Sequence, residues 1–282
     1  MFSYRHGFHA GNHADVLKHV VLVQLLAHMG AKEAPYTVVD THAGAGCYSL
    51  ESGSYADKTA EFETGIGRLW GRRDLPAALA DYLAQIAAAN PEPGLRRYPG
   101  SPQLALQMMR AQDRLRLFDL HPTEARALQD YFREAGRRVS VRHEDGFASL
   151  KSVLPPPSRR ALVLIDPSYE DKADYARVVT MMRAALQRFA TGVYAVWYPQ
   201  VRRHESSRLP EQLQRLAGAH WLHVSLTVMA PPADGFGLFG SGVFVFNPPW
   251  QLADRLRTIM PVLKTALAVD QRAAFTLQGQ HS

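Results

Sequence analysis

The sequence predicts an open α/β fold: a mostly parallel sheet of about seven strands, with helices on both faces and a small helical insertion. From residue 115 onward, strand-like and helix-like segments alternate, which implies parallel strands joined by right-handed crossovers. Near the end, the strand-like segments 223–229 and 242–246 flank the Gly-rich loop 231–240 and predict an antiparallel hairpin. A closing hairpin favours an open sheet over a barrel.

The composition is that of one globular α/β domain, residues 1–282, with a helical insertion at 48–97. The single cysteine, Cys47, excludes an internal disulfide. No apolar run reaches the roughly 20 residues of a membrane span, and the N-terminus lacks the apolar core of a signal peptide. We therefore expect a cytoplasmic protein with no membrane partner.

The charge favours a polyanionic partner. The net charge is +6 at pH 7, and arginines occur in pairs at 72–73, 96–97, 137–138, 159–160 and 202–203. Arginine forks suit phosphate oxygens. An arginine-rich surface without a nucleic-acid partner would give the same charge, so the charge alone leaves both interpretations open.

The segment 3–30 begins with a polar stretch and continues as a helix that ends near Gly30, with Asn12 or Asp15 as its N-cap. The polar stretch either lies across an active-site mouth or is only a helix start rich in capping residues. The stretch and the start of the helix contain His6, His9, His13 and His19. Their spacing matches no standard zinc motif, so we predict no metal site.

A strand at 36–40 is followed by a glycine turn, Gly44-Ala45-Gly46. Glycines let the backbone approach a ligand closely because they carry no Cβ. The turn is not G-x-G-x-x-G, and the chain has no Gly-Lys-Ser/Thr motif, so dinucleotides and ATP are poor candidates. The insertion that follows contains helix-like stretches at 61–70 and 75–89 and no strong strand.

The chain returns to the main fold through Tyr98-Pro99-Gly100-Ser101-Pro102 and a helix at 103–110, with Ser101 as a candidate N-cap. Residues 251–282 predict a helix and a frayed tail. The segments between them alternate as strands at 115–119, 139–143, 161–165 and 192–198 and helices at 121–134, 147–153, 174–189 and 209–217.

Acidic residues follow four of the predicted strands, and ligands in open α/β sheets bind at the carboxyl ends of strands. Asp119 is placed to bind two ribose hydroxyls, and Asp145-Gly146 to border an adenine ring. Asp40 precedes the glycine turn, and Asp166 follows the fully apolar strand 161–165. Taken alone, Asp166 could equally be a helix cap.

The order of these acids resembles the class I S-adenosylmethionine-dependent methyltransferases, which have a Rossmann-like fold. Among them, (Asp/Asn)-Pro-Pro-(Tyr/Phe/Trp) after the fourth strand marks enzymes that methylate exocyclic amino groups of bases. Here Asp166 and the Pro167 carbonyl would accept both hydrogens of an adenine N6, and Tyr169 would stack on the base. Asn247-Pro248-Pro249-Trp250 matches the motif more literally but ends the last hairpin, so we favour Asp166.

Longer stretches resemble the RlmJ family of 23S ribosomal RNA adenine-N6 methyltransferases: 3–6, 9–19, 40–46, 98–102, 190–199 and 247–250. The resemblance implies S-adenosyl-L-methionine as cofactor, a catalytic Asp166, and Tyr4 and His6 near the target adenosine. The implied cofactor-binding residues, with the glycine turn included, are Lys18, His19, His42, Gly44, Ser101, Asp119, Asp145 and Gly146.

The resemblance also implies the substrate: adenine 2030 of 23S rRNA, methylated by a monomer on protein-free RNA or an early assembly intermediate. One departure is Ser168, where the family has proline; proline would stiffen the turn. Three other functions stay open: a DNA adenine-N6 methyltransferase, a non-catalytic RNA-binding protein with a vestigial cofactor pocket, and a histidine-based metallo-hydrolase.

Overall fold

The computed structural model describes residues 5–233, 235 and 237–280. Within them, an eight-stranded sheet has the spatial order β10-β8-β9-β7-β6-β1-β4-β5, and β2 and β3 form a separate pair. In chain order the strands are β1 (Thr37–Asp40), β2 (Cys47–Ser49), β3 (Arg97–Pro99), β4 (Arg114–Phe118), β5 (Val139–Arg142), β6 (Ala161–Ile165), β7 (Val193–Gln200), β8 (Trp221–Thr227), β9 (Gly240–Phe246) and β10 (Ala274–Gln280).

Helices cover both faces of this sheet, and none of those described is long and apolar enough to cross a membrane. They are α1 (His13–Gly30), α2 (Tyr55–Thr59), α3 (Glu61–Thr64), α4 (Ala77–Ala88), α5 (Ser101–Met108), α6 (Pro122–Tyr131), α7 (Gly146–Val153), α8 (Ala173–Arg188), α9 (His204–Ala217) and α10 (Leu252–Leu267).

Strand β6 is central and buried on both faces, as its apolar run predicts. Leu162 and Leu164 belong to one core cluster, shared with α1, α5 and α10, whereas Val163 and Ile165 belong to the other, shared with α7, α8 and α9. Strands β5, β4, β1, β6 and β7 are parallel, and β1 lies between β4 and β6. The Rossmann-like α/β prediction is confirmed.

The C-terminal segment corrects one expectation. Residues 274–280 form an eighth strand, β10, rather than a frayed tail, and all seven residues pair antiparallel with β8. Phe275 and Leu277 pack against the core cluster of α1 and α10, while the residues that alternate with them, 274, 276 and 278, are exposed. This alternation is that of an edge strand with one buried face.

The insertion corrects another expectation, because two strands frame it. Strands β2 and β3 pair antiparallel and bring its two ends together. Between them, only 61–64 and 77–88 of the predicted helical stretches form α-helix. Gly65 lies so close to the N-terminal segment that a Cβ there would stand 2.0 Å from the carbonyl oxygen of Gly11. The insertion therefore packs directly on the polar stretch that precedes α1.

Candidate active site

A cavity opens at the carboxyl edge of the parallel strands, where β1, β4 and β6 end side by side. Its lining includes every residue for which the sequence predicts cofactor binding: Lys18, His19, His42, Gly44, Ser101, Asp119, Asp145 and Gly146. The topology brings these residues together although 128 positions separate the first from the last.

Asp119 stands one residue beyond β4 and is fixed by two backbone donors. The Gly44 N–H donates to Oδ2 and the His121 N–H to Oδ1, both at 2.8 Å. Burial raises the pKa of the Asp119 carboxyl, and the two N–H groups oppose that rise. Gly44 has φ +62°, and a Cβ there would meet the Tyr48 hydroxyl at 2.2 Å. The glycine turn is therefore tied to the acid that follows β4.

The start of α7 forms another wall. Asp145 caps this helix by accepting from the Phe147 N–H at 2.9 Å. Arg177 donates to Asp145 at 2.6 Å, and its guanidinium carbon lies 4.0 Å from the centroid of the Phe147 ring. A Cβ on Gly146 would stand 1.9 Å from the Thr41 carbonyl oxygen, so only glycine lets α7 come this close to β1.

Three buried hydroxyl and imidazole groups line up on the α1 side. The Tyr98 hydroxyl lies 3.0 Å from that of Tyr82 and 2.8 Å from His19 Nδ1. Burial lowers the pKa of His19 well below its usual value, so its imidazole is neutral at pH 7. Its Nε2 has no hydrogen-bond partner among the described residues although it lies in the cavity wall. A buried polar atom of this kind is the natural place for a polar group of a ligand.

The sequence predicts Ser101 as the N-cap of α5, but Gly100 occupies that position and Ser101 is the first residue of the helix. Its hydroxyl instead donates to Asp40 at 2.6 Å. Burial raises the pKa of Asp40 to about 6. His42, two residues further on, is held by the Thr41 hydroxyl at 2.8 Å, and burial lowers its pKa to about 3.

Asp166 ends a continuous chain of charged side chains. Lys18 Nζ lies 2.6 Å from Asp166 Oδ2 and 2.8 Å from Asp15 Oδ1. Asp15 Oδ2 in turn accepts from the Gly11 N–H at 3.0 Å and lies 2.9 Å from His6 Nε2. Although burial opposes a charge on Lys18, the carboxylates of Asp15 and Asp166 raise its pKa above the ordinary value. Lys18 is therefore a fixed ammonium that orients Asp166.

A second cavity meets the first at this point. It lies between the N-terminal segment with α3 on one side and the end of β7 with the β8–β9 loop on the other. Five residues line both cavities: His6, Lys18, Asp166, Ser168 and Glu170. A carboxylate at the junction can touch ligands bound on either side.

Comparison with known proteins shows which family has this sequence pattern. A family model described as "Ribosomal RNA large subunit methyltransferase D, RlmJ" matches residues 33–277. Two proteins named "Ribosomal RNA large subunit methyltransferase J" are similar. The one from Escherichia coli (strain K12) is 44% identical over 95% of this chain and 94% of its own length. The one from Haemophilus influenzae is 42% identical over 99% and 98%.

The chain belongs to the RlmJ family of ribosomal RNA methyltransferases. A crystal structure of a Legionella pneumophila protein has the same fold, with a TM-score of 0.88, 34% identity, and coverage of 96% of this chain and 98% of that one. The resemblance in the sequence is thus confirmed at the level of the family, and the roles of individual residues stay predictions.

Within this RlmJ-family fold, Tyr169 lies in the wall of the second cavity and not of the first. Its side chain is 2% exposed, and its hydroxyl donates to the Trp197 carbonyl at 2.7 Å. The backbone is left-handed, with φ 54°, which is uncommon for an aromatic residue. Arg203 holds the turn by donating to the Tyr169 carbonyl at 2.8 Å. In this rotamer Tyr169 supports the turn.

The other tyrosine that the sequence predicts near the target adenosine, Tyr4, lies outside the described residues.

The alternative motif at Asn247 lies at the amino ends of the parallel strands, whereas Asp166 lies at their carboxyl ends. Strand β9 runs antiparallel to β7, so Phe246 pairs with Tyr194 at the start of β7, far from Asp166. The Asn247 amide donates to the carbonyls of Ala190 and Gly192, both at 2.7 Å. Asn247 therefore ties down a turn on that side of the sheet, and the catalytic role of Asp166 stays a prediction.

The histidines of the N-terminal segment point to different partners. His6 contacts Asp15, His9 contacts Glu61, and His19 contacts Tyr98. Among the residues that the structure describes, no three His, Cys, Asp or Glu side chains are grouped so that they could hold a metal ion.

Asp15 and Arg177 are site residues that the sequence reasoning did not identify as such. The sequence predicts Asp15 only as a cap, although a spacing of three from Lys18 on a helix is typical of an ion pair. Arg177 reaches Asp145 from α8, and no local pattern reveals that contact.

Proposed function

We propose that this chain transfers a methyl group from S-adenosyl-L-methionine to the N6 amino group of one adenine in 23S rRNA, adenine 2030 by family resemblance. The observation that carries the proposal is the position of Asp166, where a cavity suited to a nucleoside cofactor meets a second cavity. The RNA substrate is supported by the names of the two relatives, and the N6 position by the motif at 166–169.

The residues of the first cavity fit the cofactor. Asp119, with both oxygens oriented by backbone donors, suits two ribose hydroxyls. Gly146 lets the start of α7 pack against the Thr41 backbone, and this sets Asp145 and Phe147 in the cavity wall, where an adenine ring would lie. The unpartnered Nε2 of His19 offers a hydrogen-bonding atom. Bound S-adenosylmethionine would supply an electrophilic methyl group on its sulfonium sulfur.

Asp166 and Pro167 would act on the amino group. An adenine N6 lone pair is delocalised into the ring and is a poor nucleophile. A carboxylate and a carbonyl that accept both N6 hydrogens orient the nitrogen and favour its pyramidal form. Lys18 holds Asp166 Oδ2, which leaves Oδ1 for one hydrogen, and the Pro167 carbonyl takes the other. The nitrogen would form a bond to the methyl carbon as the bond between that carbon and the sulfonium sulfur breaks, which leaves a neutral thioether, and the nitrogen would release one N6 proton to water.

The second cavity would receive the extruded base, because an enzyme that modifies a base must take it out of its stack. His6 lines this cavity and is anchored to Asp15. Tyr169 and Trp197 also line it, so the base would enter a partly aromatic wall. Stacking of the Tyr169 ring itself on the base would require that the ring leave the Trp197 carbonyl.

The proposal is tested by incubating the enzyme with S-adenosylmethionine and either protein-free 23S rRNA or duplex DNA, followed by mass spectrometry of the nucleosides. We expect N6-methyladenine in the RNA only, and its loss in Asp166→Ala. Asp254→Ala, an exposed aspartate on α10, is the matched control and should keep wild-type activity. Methylation of the DNA alone would instead make the chain a DNA methyltransferase.

Calorimetry separates the remaining alternative. The wild type and Asp166→Ala should both bind S-adenosylmethionine, because the substitution replaces none of the cofactor residues and Lys18 keeps its contact with Asp15. A wild type that binds RNA but not the cofactor would be a non-catalytic RNA-binding protein. We also propose that the enzyme is a monomer that acts before assembly is complete; it should methylate protein-free 23S rRNA faster than intact large subunits, and sedimentation should give one chain.

A further inference from the structure

Helix α2 of the insertion and the N-terminal segment together form a cluster of two cations and an exposed aromatic ring. Tyr55 is 45% exposed, and its hydroxyl accepts a hydrogen bond from Arg5. The Arg5 guanidinium carbon and the Lys58 ammonium each lie 5.3 Å from the centroid of the Tyr55 ring, within the range of cation–π attraction. We call Arg5, Tyr55 and Lys58 the Tyr55 patch.

The positive charges of the Tyr55 patch are not neutralised by ion pairs. Neither Arg5 nor Lys58 pairs with a carboxylate of any residue in the described part of the chain. Other cations of the insertion do: Arg72 pairs with Asp74 at 2.5 Å, and Arg96 with Glu92 at 2.6 Å. The carboxylate of α2, Asp57, accepts from the Gly53 N–H instead. The patch therefore presents two available cations held by one ring.

The Tyr55 patch adjoins the second cavity. Arg5 immediately precedes His6, which lines that cavity, and Gly7 packs against the Tyr55 side chain. The opposite wall carries a second pair of cations, Arg202 and Arg203, after β7. A strand of nucleic acid with one base in the cavity would therefore meet positive charge on both sides.

We propose that the Tyr55 patch binds the RNA strand that flanks the target adenine, with Arg5 and Lys58 on phosphates and an unstacked neighbouring base on the Tyr55 ring. This inference rests on the proposed RNA substrate and adds a binding surface to it. Sequence-specific RNA recognition targets splayed single-stranded bases, which stack on aromatic rings and arginine planes. Extrusion of the target base exposes the faces of its neighbours to such stacking.

The charge test compares Lys58→Glu with Lys264→Glu, an exposed lysine on α10. Each variant lowers the formal net charge from +6 by two, to +4, so a difference between them reports position and not total charge. In single-turnover methylation of protein-free 23S rRNA, we expect Lys58→Glu to raise the half-saturating RNA concentration about tenfold, with a shallower salt dependence. Lys264→Glu should change it less than about twofold.

The ring test compares Tyr55→Leu with Tyr131→Leu, since Tyr131 on α6 is also 45% exposed. We expect Tyr55→Leu to raise the half-saturating RNA concentration on the order of tenfold, Tyr55→Phe to restore most of it, and Tyr131→Leu to leave it unchanged. A purely structural role for Tyr55 would instead lower the melting temperature and the maximal rate at saturating RNA.

Equal half-saturating concentrations for Lys58→Glu and Lys264→Glu would overturn the inference. If the wild type does not methylate RNA at all, the proposed function fails instead. The two failures are therefore distinguishable in one set of measurements.

Discussion

Replacing Asp15 by asparagine should disable the site indirectly, through loss of the contact that holds Lys18 against Asp166. Asp15 is 2% exposed and accepts from the Gly11 N–H through the same oxygen that contacts His6, while its other oxygen contacts Lys18. An asparagine of the same shape keeps one acceptor oxygen and turns an NH2 group toward donors on the other side. Either Lys18 or the pair formed by His6 and Gly11 loses its partner.

The magnitude follows from those contacts. Hydrogen bonds to charged groups contribute about 1.5–3 kcal/mol each, so Asp15→Asn should lower the free energy of unfolding by about 2–4 kcal/mol. If Lys18 is no longer held, Asp166 loses its orienting donor, and the single-turnover rate should fall about 10- to 100-fold. Because Asp15 is one of two carboxylates that raise the pKa of Lys18, its loss should also bring that pKa down toward the ordinary value.

Asp113→Asn provides the matched control. Asp113 is fully buried and accepts from the Tyr36 and Arg110 backbone N–H groups and from the Arg110 guanidinium, just before β4 and far from the cavities. It should lose comparable stability, measured by thermal unfolding, while its rate per folded enzyme stays at the wild-type value. A wild-type rate per folded enzyme in Asp15→Asn would refute the reasoning.

Three further outcomes are expected. Gly146→Ala should weaken S-adenosylmethionine binding at least tenfold in calorimetry, because its Cβ would stand 1.9 Å from a carbonyl oxygen. The control Gly30→Ala should leave the affinity unchanged, because a Cβ on Gly30 would have no atom within 4 Å. Burial lowers the pKa of His223 to about 4. Between about pH 6.5 and 4 this imidazole is therefore protonated in the unfolded chain and neutral in the folded chain. Stability contributed by this group is therefore lost as pH falls through that window, by about 1–2 kcal/mol after discount for partial exposure, and unfolding curves of His223→Gln should show less of this loss. Ser168→Pro should keep the methylation rate within about threefold. The Ser168 N–H donates to no acceptor among the described residues, so proline removes no hydrogen bond, and its fixed φ stiffens the turn. A rate that falls by more than that would show that the turn needs serine.

The parts of the fold that could be predicted are those with a strong local pattern. Residues 161–165 are apolar throughout, and the strand found has the same bounds. The edge strand at 274–280 has only two partly buried apolar side chains among polar ones, so its pattern is weak. Strands β2 and β3 are three residues long, and pairing between distant segments, rather than local pattern, determines them.

The site divides in the same way. Acids that follow strands were predictable, because the topology of a parallel sheet brings strand ends to one edge; Asp119 and Asp166 are examples. The partners of these acids were not, because they come from distant segments: Lys18 reaches Asp166 across 148 positions. The same holds for the rotamer of Tyr169, since a motif specifies the residue type but not the packing around it.

The most direct test of the central claim is to map N6-methyladenine on 23S rRNA from cells that lack this protein. We expect the mark at adenine 2030 to disappear, to return with a plasmid that supplies the wild type, and to stay absent with Asp166→Ala at equal protein level. A mark that persists without the protein would contradict the proposed activity. A mark that Asp166→Ala restores fully would contradict the assignment of Asp166 as the residue that orients the target amino group.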